Sequence, residues 1–495
     1  MIKYLNRLSN PYEDHLNKDL MDRTHDSELK DFIIDAWKSL EILPSIKIVK
    51  SEFNDVESTI DYNKYIYKRE RNSKKTEKIE HKFINDSRCG VLTTYIQVSL
   101  YEKNKQTDEM ELHTKLFKKP MLIPLIDEET YCYTFKGKQY YMIYQLVEKS
   151  TYTASTTVTL KSLMPVALSR TATELEAYEV QWREVNDIDD EQEIATKDTV
   201  QIQDVNETSF VVPVYKIYVF RTEVPVLIFY FANGFDHALS YLGVANVISV
   251  ESEADYTDEN SLYFPASNKC VIKVDKDMFI KYPYIQSIVG GILINCSSKT
   301  TVESLKDPQT WIKKLGKTPD KGQDMLIAFN RLLDETTKKI LMIDPYHKEN
   351  IYSVLRWMMM SYNELRLKDN MDLNNKRLRI NEYIQSLFTL ELSRKLNKLI
   401  TLGKRATMDD FKKAFNFTGE ILLQKMHTSG ILSFDDRIND MTFFSKFKVT
   451  SKGPHSLGGK NNRNIPIKQR GLHPSYLGYL DILVCGNSDR FGQAV

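Results

Sequence analysis

Cysteine is sparse and scattered. The five residues stand at positions 89, 132, 270, 296 and 485, with no Cys-x-x-Cys pair. No histidine lies at ligand spacing from any of them, so a zinc site is not expected, and an odd, dispersed set fits a reducing compartment better than a disulfide framework. No run approaches about 18 apolar residues, the length a membrane helix needs, and no membrane span is expected. The amino terminus, MIKYLNRLSNPYEDHLNKDL, has no apolar core of the kind a secretory signal requires. Glycine (18) and proline (15) are few for 495 residues, and neither a low-complexity tract nor an internal repeat occurs. A phosphate loop of the G-x-x-x-x-G-K-[ST] type is missing, and so is any Ser/His/Asp arrangement at hydrolase spacing. An excess of one charge is missing too. The formal net charge is +1, so total charge excludes no class of partner and only its distribution informs.

Apolar residues make up 42% of the chain, with 28 Tyr and 22 Phe, enough for about two to four domains with real cores. Residues 31–43 carry apolar side chains at helical spacing. Strand patterns follow at Thr93–Tyr101, in a hairpin over Tyr131–Leu146 turning at Lys136-Gly137-Lys138, and at Ala154–Leu160. Val211–Ala232 also reads as strand. The apolar run Val224–Ala232 within it, broken by Pro225, reads as a buried strand, and Asp236–Gly243 as a short helix. From Lys321 the period turns helical, over Gln323–Leu341, Asn350–Arg366, Ile380–Leu399 and Met408–Lys425. One of these helices holds Trp357-Met358-Met359-Met360, read as packed core. The class expected is α+β, with sheets early and helices late.

Charge is unevenly distributed. Lys64–Lys82 is dense in both signs and reads as a solvated loop or hairpin, as does the acidic run NDIDDEQE within Gln181–Glu207. Met441–Leu480 differs, with seven Lys/Arg and no Asp or Glu. Phe443–Thr450 alternates as a strand, Gly453-Pro454 breaks it, and Gly458–Asn464 forms a glycine-rich, cationic tip. Glycine exposes backbone N–H groups, Lys and Arg bring charge, and Asn brings adaptable donors, which suits phosphate. The plain alternative is a solvated loop.

These residues resemble a known family. MTFFSKFKVTSKGPHSLGG followed by RGLHPSYLG is similar to the stretch of multisubunit RNA polymerase β subunits that runs into fork loop 2. The matching residues are Thr450-Ser451-Lys452-Gly453-Pro454, then Arg470, His473-Pro474-Ser475 and Gly478. Three upstream stretches resemble β-subunit segments in the right order. The first is Ile123-Pro124-Leu125-Ile126 with Gly137, Gln145-Leu146 and Ser150. The second is Phe220–Val226 with Ala232, Gly234 and Leu242-Gly243. The third is Asp372–Arg379 leading into Glu382.

The resemblance implies an RNA polymerase β-subunit protrusion and lobe with the start of the fork region. Its divisions would be 1–150 (protrusion, first part), 151–349 (lobe), 350–430 (protrusion, helical second part) and 431–495 (fork region, completed by another chain). It implies the N-terminal part of a split β subunit, of the kind giant tailed bacteriophages encode. The apolar strand pattern at Leu480–Val484 and the Gly486–Gly492 turn then read as a domain's middle. The residues expected at nucleic acid are Lys446, Lys448 and Thr450 beside the RNA–DNA hybrid, Lys460, Arg463 and Lys468 at the fork loop, Arg470 and His473 behind it, and Asn487, Ser488 and Arg490 in the terminal turn. His473-Pro474 is read as a brace for the loop more than a contact.

Family chemistry uses Mg²⁺ held by an Asp-Phe-Asp-Gly-Asp motif of the β′ subunit, which this sequence lacks. No cofactor is therefore expected on this chain, and no activity from it alone. Expected partners are a C-terminal β-like chain, β′-like chains carrying the metal aspartates, a promoter-specificity subunit, the DNA template and the RNA transcript, with no membrane. The expected setting is the cytoplasm of a phage-infected bacterium, with a place in the virion left open. The sequence departs from the family at Ser445 and Phe447, where bacterial enzymes carry His and Arg, and in a longer Thr450–His473 loop. The rival reading is a non-catalytic phage DNA-binding or structural protein with a basic loop.

Overall fold

The computed structural model describes residues 26–56, 89–103, 110–126, 132–185, 200–341, 350–416, 421–428, 432–434, 449–450 and 473–480, apart from stretches of one to three residues within them. Helix α1 (Asp26–Lys38) leads into a 3-10 turn, Ser39–Ile42, and a meander of β1 (Ile46–Val56), β2 (Cys89–Lys103) and β3 (Met110–Pro124). One face of β2 carries Leu92, Ile96 and Val98, all fully buried, as alternation demands. The expected hairpin forms from β4 (Tyr133–Phe135) and β5 (Lys138–Met142), and Gly137 adopts the positive φ of 71° that its turn needs. Strand β6 (Tyr144–Glu148) follows.

An eight-stranded sheet occupies the next segment. It contains β7 (Thr151–Ala154), β8 (Thr157–Leu160), β9 (Val166–Val185), β10 (Val200–Val219), β11 (Thr222–Pro225), β12 (Ile248–Glu251), β13 (Ser261–Ser267) and β14 (Cys270–Asp275). Ala154–Leu160, expected as one strand, is the end of β7, a turn, and β8. Strands β9 and β10 pair along almost their whole length, from Val185↔Val200 to Ala167↔Tyr218. The acidic run expected as a loop lies outside the described residues, and the strands beside it reach Val185 and resume at Val200.

The strand expected over Val224–Ala232 is corrected. Phe220 and Arg221, at φ 51° and 63°, turn the chain back on itself, and β11 pairs with β10 only to Pro225. Helix α2 (Val226–Phe231) then begins, with all six residues buried. A segment covered on every side has no periodicity to read, so a buried helix looks like a buried strand. Helix α3 (Phe235–Leu242) matches expectation.

Helices also start earlier than Lys321. Before that point come α4 (Lys276–Lys281), α5 (Pro283–Leu293), α6 (Val302–Lys306) and α7 (Pro308–Leu315), and α8 (Pro319–Asn330) spans it. The next two, α9 (Ile351–Met360) and α10 (Tyr362–Leu367), pack against the eight-stranded sheet and its helices. The Tyr230 hydroxyl donates to the Tyr352 carbonyl (2.6 Å), and the Tyr362 hydroxyl to that of Thr156 (2.6 Å). Met358 and Met359 are buried as core, while Met360 is 58% exposed. After β15 (Lys376–Arg379) come α11 (Glu382–Leu402), α12 (Met408–Ala414) and α13 (Ile421–Thr428). The last described strands are β16 (Leu432–Phe434), which pairs with β5, and β17 (Val449–Thr450).

One continuous core runs from Ile33 to Met426. Trp37 meets Phe388 edge-on at 4.9 Å, tying the first helix to α11, and Phe229 stacks on Phe329 at 3.9 Å. Lys64–Lys82 lies outside the described residues.

Candidate nucleic-acid interface

Three strands from distant parts of the chain meet in one small sheet. Strand β6 is central, β15 runs antiparallel to it (Arg379↔Gln145, Lys376↔Glu148), and β17 runs parallel on the other side (Thr450↔Gln145). Gln145 is fully buried and Arg379 is 5% exposed, so both need partners inside the protein. The Arg379 Nε–H donates to Gln145 Oε1 at 2.9 Å, and Arg379 Nη2 donates to the same oxygen. On the other face, Glu148 accepts from Lys161 Nζ at 2.8 Å, with side chains only 10% and 16% exposed. Burial pushes the Lys161 ammonium below its ordinary range. Glu148 works against that shift, while Arg379 and Arg377 add to it. The sheet therefore gathers four cations, Lys161, Lys376, Arg377 and Arg379, about one buried carboxylate.

The turn at His473 docks beside this sheet. His473 caps a 3-10 turn, Pro474–Tyr476, its Nδ1 accepting the Ser475 N–H at 3.2 Å. The Ser475 hydroxyl lies 2.8 Å from the same Nδ1 and accepts the Leu373 N–H at 2.9 Å. His473 Nε2 faces Asp369 Oδ2 at 3.7 Å. Lys376 Nζ donates to the Tyr476 hydroxyl, and its ammonium sits 5.2 Å from the ring centroid. Burial first, then the charges of Asp369, Asp372 and Glu148, push the Tyr476 phenol up to about 12. Gly478, at φ 83°, closes the turn.

Of the eleven residues expected at nucleic acid, Thr450 and His473 fall within the described residues. Lys446, Lys448, Lys460, Arg463, Lys468, Arg470, Asn487, Ser488 and Arg490 lie outside them, as does the Leu480–Val484 pattern beyond Leu480. Thr450 is only 3% exposed. Its side chain is packed in the sheet, where it pairs with β6 at Gln145. His473 braces its turn. The sequence reading nominated neither Lys376 nor Tyr476. Lys376 falls in the Asp372–Arg379 resemblance and Tyr476 directly follows His473-Pro474-Ser475, but nothing local announces that they touch. Lys161 and Glu148 carry no sequence signal at all.

Among the described residues no three His, Cys, Asp or Glu side chains converge as a metal site. None of the described helices is long and apolar enough to cross a membrane.

A family model for non-virion RNA polymerase subunits matches residues 4–491. The chain belongs to this family. No curated protein matches it in sequence. Membership makes the molecule a subunit of a bacteriophage RNA polymerase, part of an enzyme complex that transcribes in the infected cell. Its partners include the other subunits of that polymerase, and the buried polar sheet and docked turn are features of a polymerase subunit.

Proposed function

We propose that this polymerase subunit is β-like and represents the N-terminal part of a split β subunit. In this reading residues 1–150 and 350–430 form the protrusion, 151–349 the lobe, and 431–495 the start of the fork region. Helices α9 and α10 would move with the lobe they pack on. Protrusion and lobe would form one jaw of the DNA cleft, and the fork region would line the RNA–DNA hybrid channel.

One observation carries the reading. Three stretches that resemble β-subunit segments, at Gln145-Leu146, Leu373–Arg379 and His473–Ser475, are far apart in sequence yet touch in space. A chance set of weak matches has no reason to converge. Lys446, Lys448, Lys460, Arg463, Lys468 and Arg470 would then meet phosphates, and Asn487, Ser488 and Arg490 would lie beyond them on the same path. Thr450 and His473 would hold both ends of the cationic loop. Leu477 and Tyr479, 62% and 80% exposed beside the docked turn, would be covered by the C-terminal β-like chain. The Mg²⁺ ions of nucleotide addition would belong to the aspartates of a β′-like partner. This chain would shape the cleft and hold the polyanions.

The test is assembly and activity together. The chain purified alone should make no RNA from template, Mg²⁺ and nucleotides. Co-expressed polymerase subunits should co-purify with it, identified by mass spectrometry as a chain that continues the β pattern and another with Asp-Phe-Asp-Gly-Asp. That complex should transcribe. Primer extension by the isolated chain, or a transcribing complex with a complete β subunit elsewhere, would overturn the assignment.

A further inference from the structure

A second run of cations lies in sequence well before Met441–Leu480. Between Arg394 and Lys413 the sequence has seven Lys/Arg and two Asp. The fold gathers them on the end of α11, the 3-10 turn Gly403–Arg405 and α12. Arg394, Lys398, Arg405, Lys412 and Lys413 are exposed. Both aspartates start α12. Asp410 Oδ2 accepts from the Thr407 hydroxyl at 2.8 Å and from its N–H at 3.2 Å, so it is occupied as a cap. Those two bonds hold its carboxyl low, and the charges of Lys398 and Lys413 add to the effect, so both lysines lie near it. Asp409 is exposed and offsets part of the charge. Glu391 bridges Arg394 at 3.3 Å and Lys425 at 2.7 Å.

A second stretch joins this surface from nearly three hundred residues away. Lys115-Leu116-Phe117-Lys118-Lys119 on β3 meets Phe411-Lys412-Lys413-Ala414-Phe415 through Phe117 and Phe415, whose rings are 5.9 Å apart. Lys115 and Lys119 lie 5.5 and 6.0 Å from the Phe117 ring centroid. Lys119 is buried, and Lys115 is exposed at the edge of the patch.

The composition of the surface selects its occupant. Among the described residues of 382–428 no large apolar side chain is exposed, and on β3 the exposed Leu116 alternates to the face opposite Lys115. Protein interfaces are anchored by buried aromatic and aliphatic side chains, whereas surfaces that meet a phosphate backbone are cationic and polar. We propose that Lys115, Arg394, Lys398, Arg405, Lys412 and Lys413 form a second nucleic-acid surface, which binds the phosphate backbone of duplex DNA without reading its sequence. The inference rests on this subunit handling DNA within its polymerase, but not on the split-β assignment.

The test uses the assembled polymerase and the full chain alone. Each is titrated with a fluorescent DNA duplex, a single strand and an RNA hairpin over a salt series. The triple variant Lys398→Glu, Lys412→Glu, Lys413→Glu should lower duplex affinity at least tenfold at about 0.1 M salt. It should flatten the slope of log K against log salt by about two to three, the loss of three backbone contacts. Duplexes of unrelated sequence should be affected equally. The triple Gln variant, which keeps bulk and helix propensity, should show the same direction with a smaller change, and circular dichroism should match the parent. Unchanged affinity and slope in both variants would overturn the proposal. So would a larger loss on single strand or RNA hairpin than on duplex, or normal DNA binding with loss of another subunit from the complex. Failure of the Lys460, Arg463 and Lys468 variants to alter the elongation complex would instead count against the fork-loop reading.

Discussion

The ammonium of Lys376 and the phenol of Tyr476 are hydrogen-bonded at 2.5 Å across 100 residues of chain. Lys376 begins the edge strand of the buried polar sheet, and Tyr476 ends the turn that His473 caps. The contact latches the start of the chain's last described segment onto the sheet.

This latch predicts a pH dependence. Burial keeps the Tyr476 phenol protonated in the folded state to about pH 12. In the unfolded chain a phenol ionises near about 10. Between those values the folded state holds the extra proton, so the stability that the neutral Tyr476 phenol contributes is intact below about pH 10 and is lost as pH rises through about 12, while burial holds the Lys376 ammonium below its own ordinary range. The difference in tyrosinate absorbance between the parent and Tyr476→Phe should titrate near 12, and a midpoint near 10 would contradict the buried placement.

The Glu148–Lys161 pair predicts an asymmetry. Replacing Glu148 by Gln strands a buried ammonium and should destabilise the chain by about 3–5 kcal/mol. Replacing both residues, as Glu148→Leu with Lys161→Met, should cost less than Glu148→Gln, because the Lys161 ammonium leaves together with its partner while Arg379 keeps its bonds to Gln145. Denaturant titration of the parent and the two variants measures this, and equal losses would show that the pair is not buried as described.

Two glycines should fail for different reasons. A Cβ on Gly322 would lie 2.0 Å from the Ile312 carbonyl oxygen, a backbone atom of α7 that cannot step aside. Gly322→Ala should therefore separate α7 from α8 and cost about 1–3 kcal/mol. Gly478 has open space around its Cβ position but a φ of 83°. Gly478→Ala should cost about 1–2 kcal/mol through backbone strain alone. Thermal unfolding should show the larger drop for Gly322→Ala, and Gly478→Asn should recover most of the second loss.

The cations proposed for the fork loop should act through salt. Changing Lys460, Arg463 and Lys468 to Glu in the assembled polymerase should weaken retention of the elongation complex. Its salt dependence should flatten by up to about one unit of slope per lost contact. Retention unchanged across the salt series would remove these residues from the interface.

Much of the fold was legible where one face of an element meets solvent. The 31–43 helix, the Tyr133–Met142 hairpin and the strand at Thr93–Tyr101 all show their period because half of each element is wet. Legibility failed at Val226–Phe231, where burial on all sides erases the period, and at Lys276–Leu315, where helices of five to eleven residues are too short for one to emerge. In the site, the sequence pointed to three of the stretches that meet and not to their contacts. Lys376 and Tyr476 find each other through the fold, and a hydrogen bond of that range leaves no local trace. The α11–α12 cations went unread for a related reason. They are spread at helical spacing between aliphatic residues, and their β3 neighbours stand nearly three hundred residues earlier in the sequence.

The small sheet of β6, β15 and β17 also governs the order in which the molecule can be made. Gln145 waits 234 residues for Arg379, and longer still for Thr450. The eight-stranded sheet, by contrast, draws every strand from between Thr151 and Asp275. On the ribosome that sheet can pair while Gln145 still lacks both neighbours. Loop-closure entropy makes such late pairing slow, and an unpaired β6 is a sticky edge in the meantime. Synthesis that stops before Thr450 should thus yield a chain with a folded middle and a β6 that still lacks its parallel neighbour.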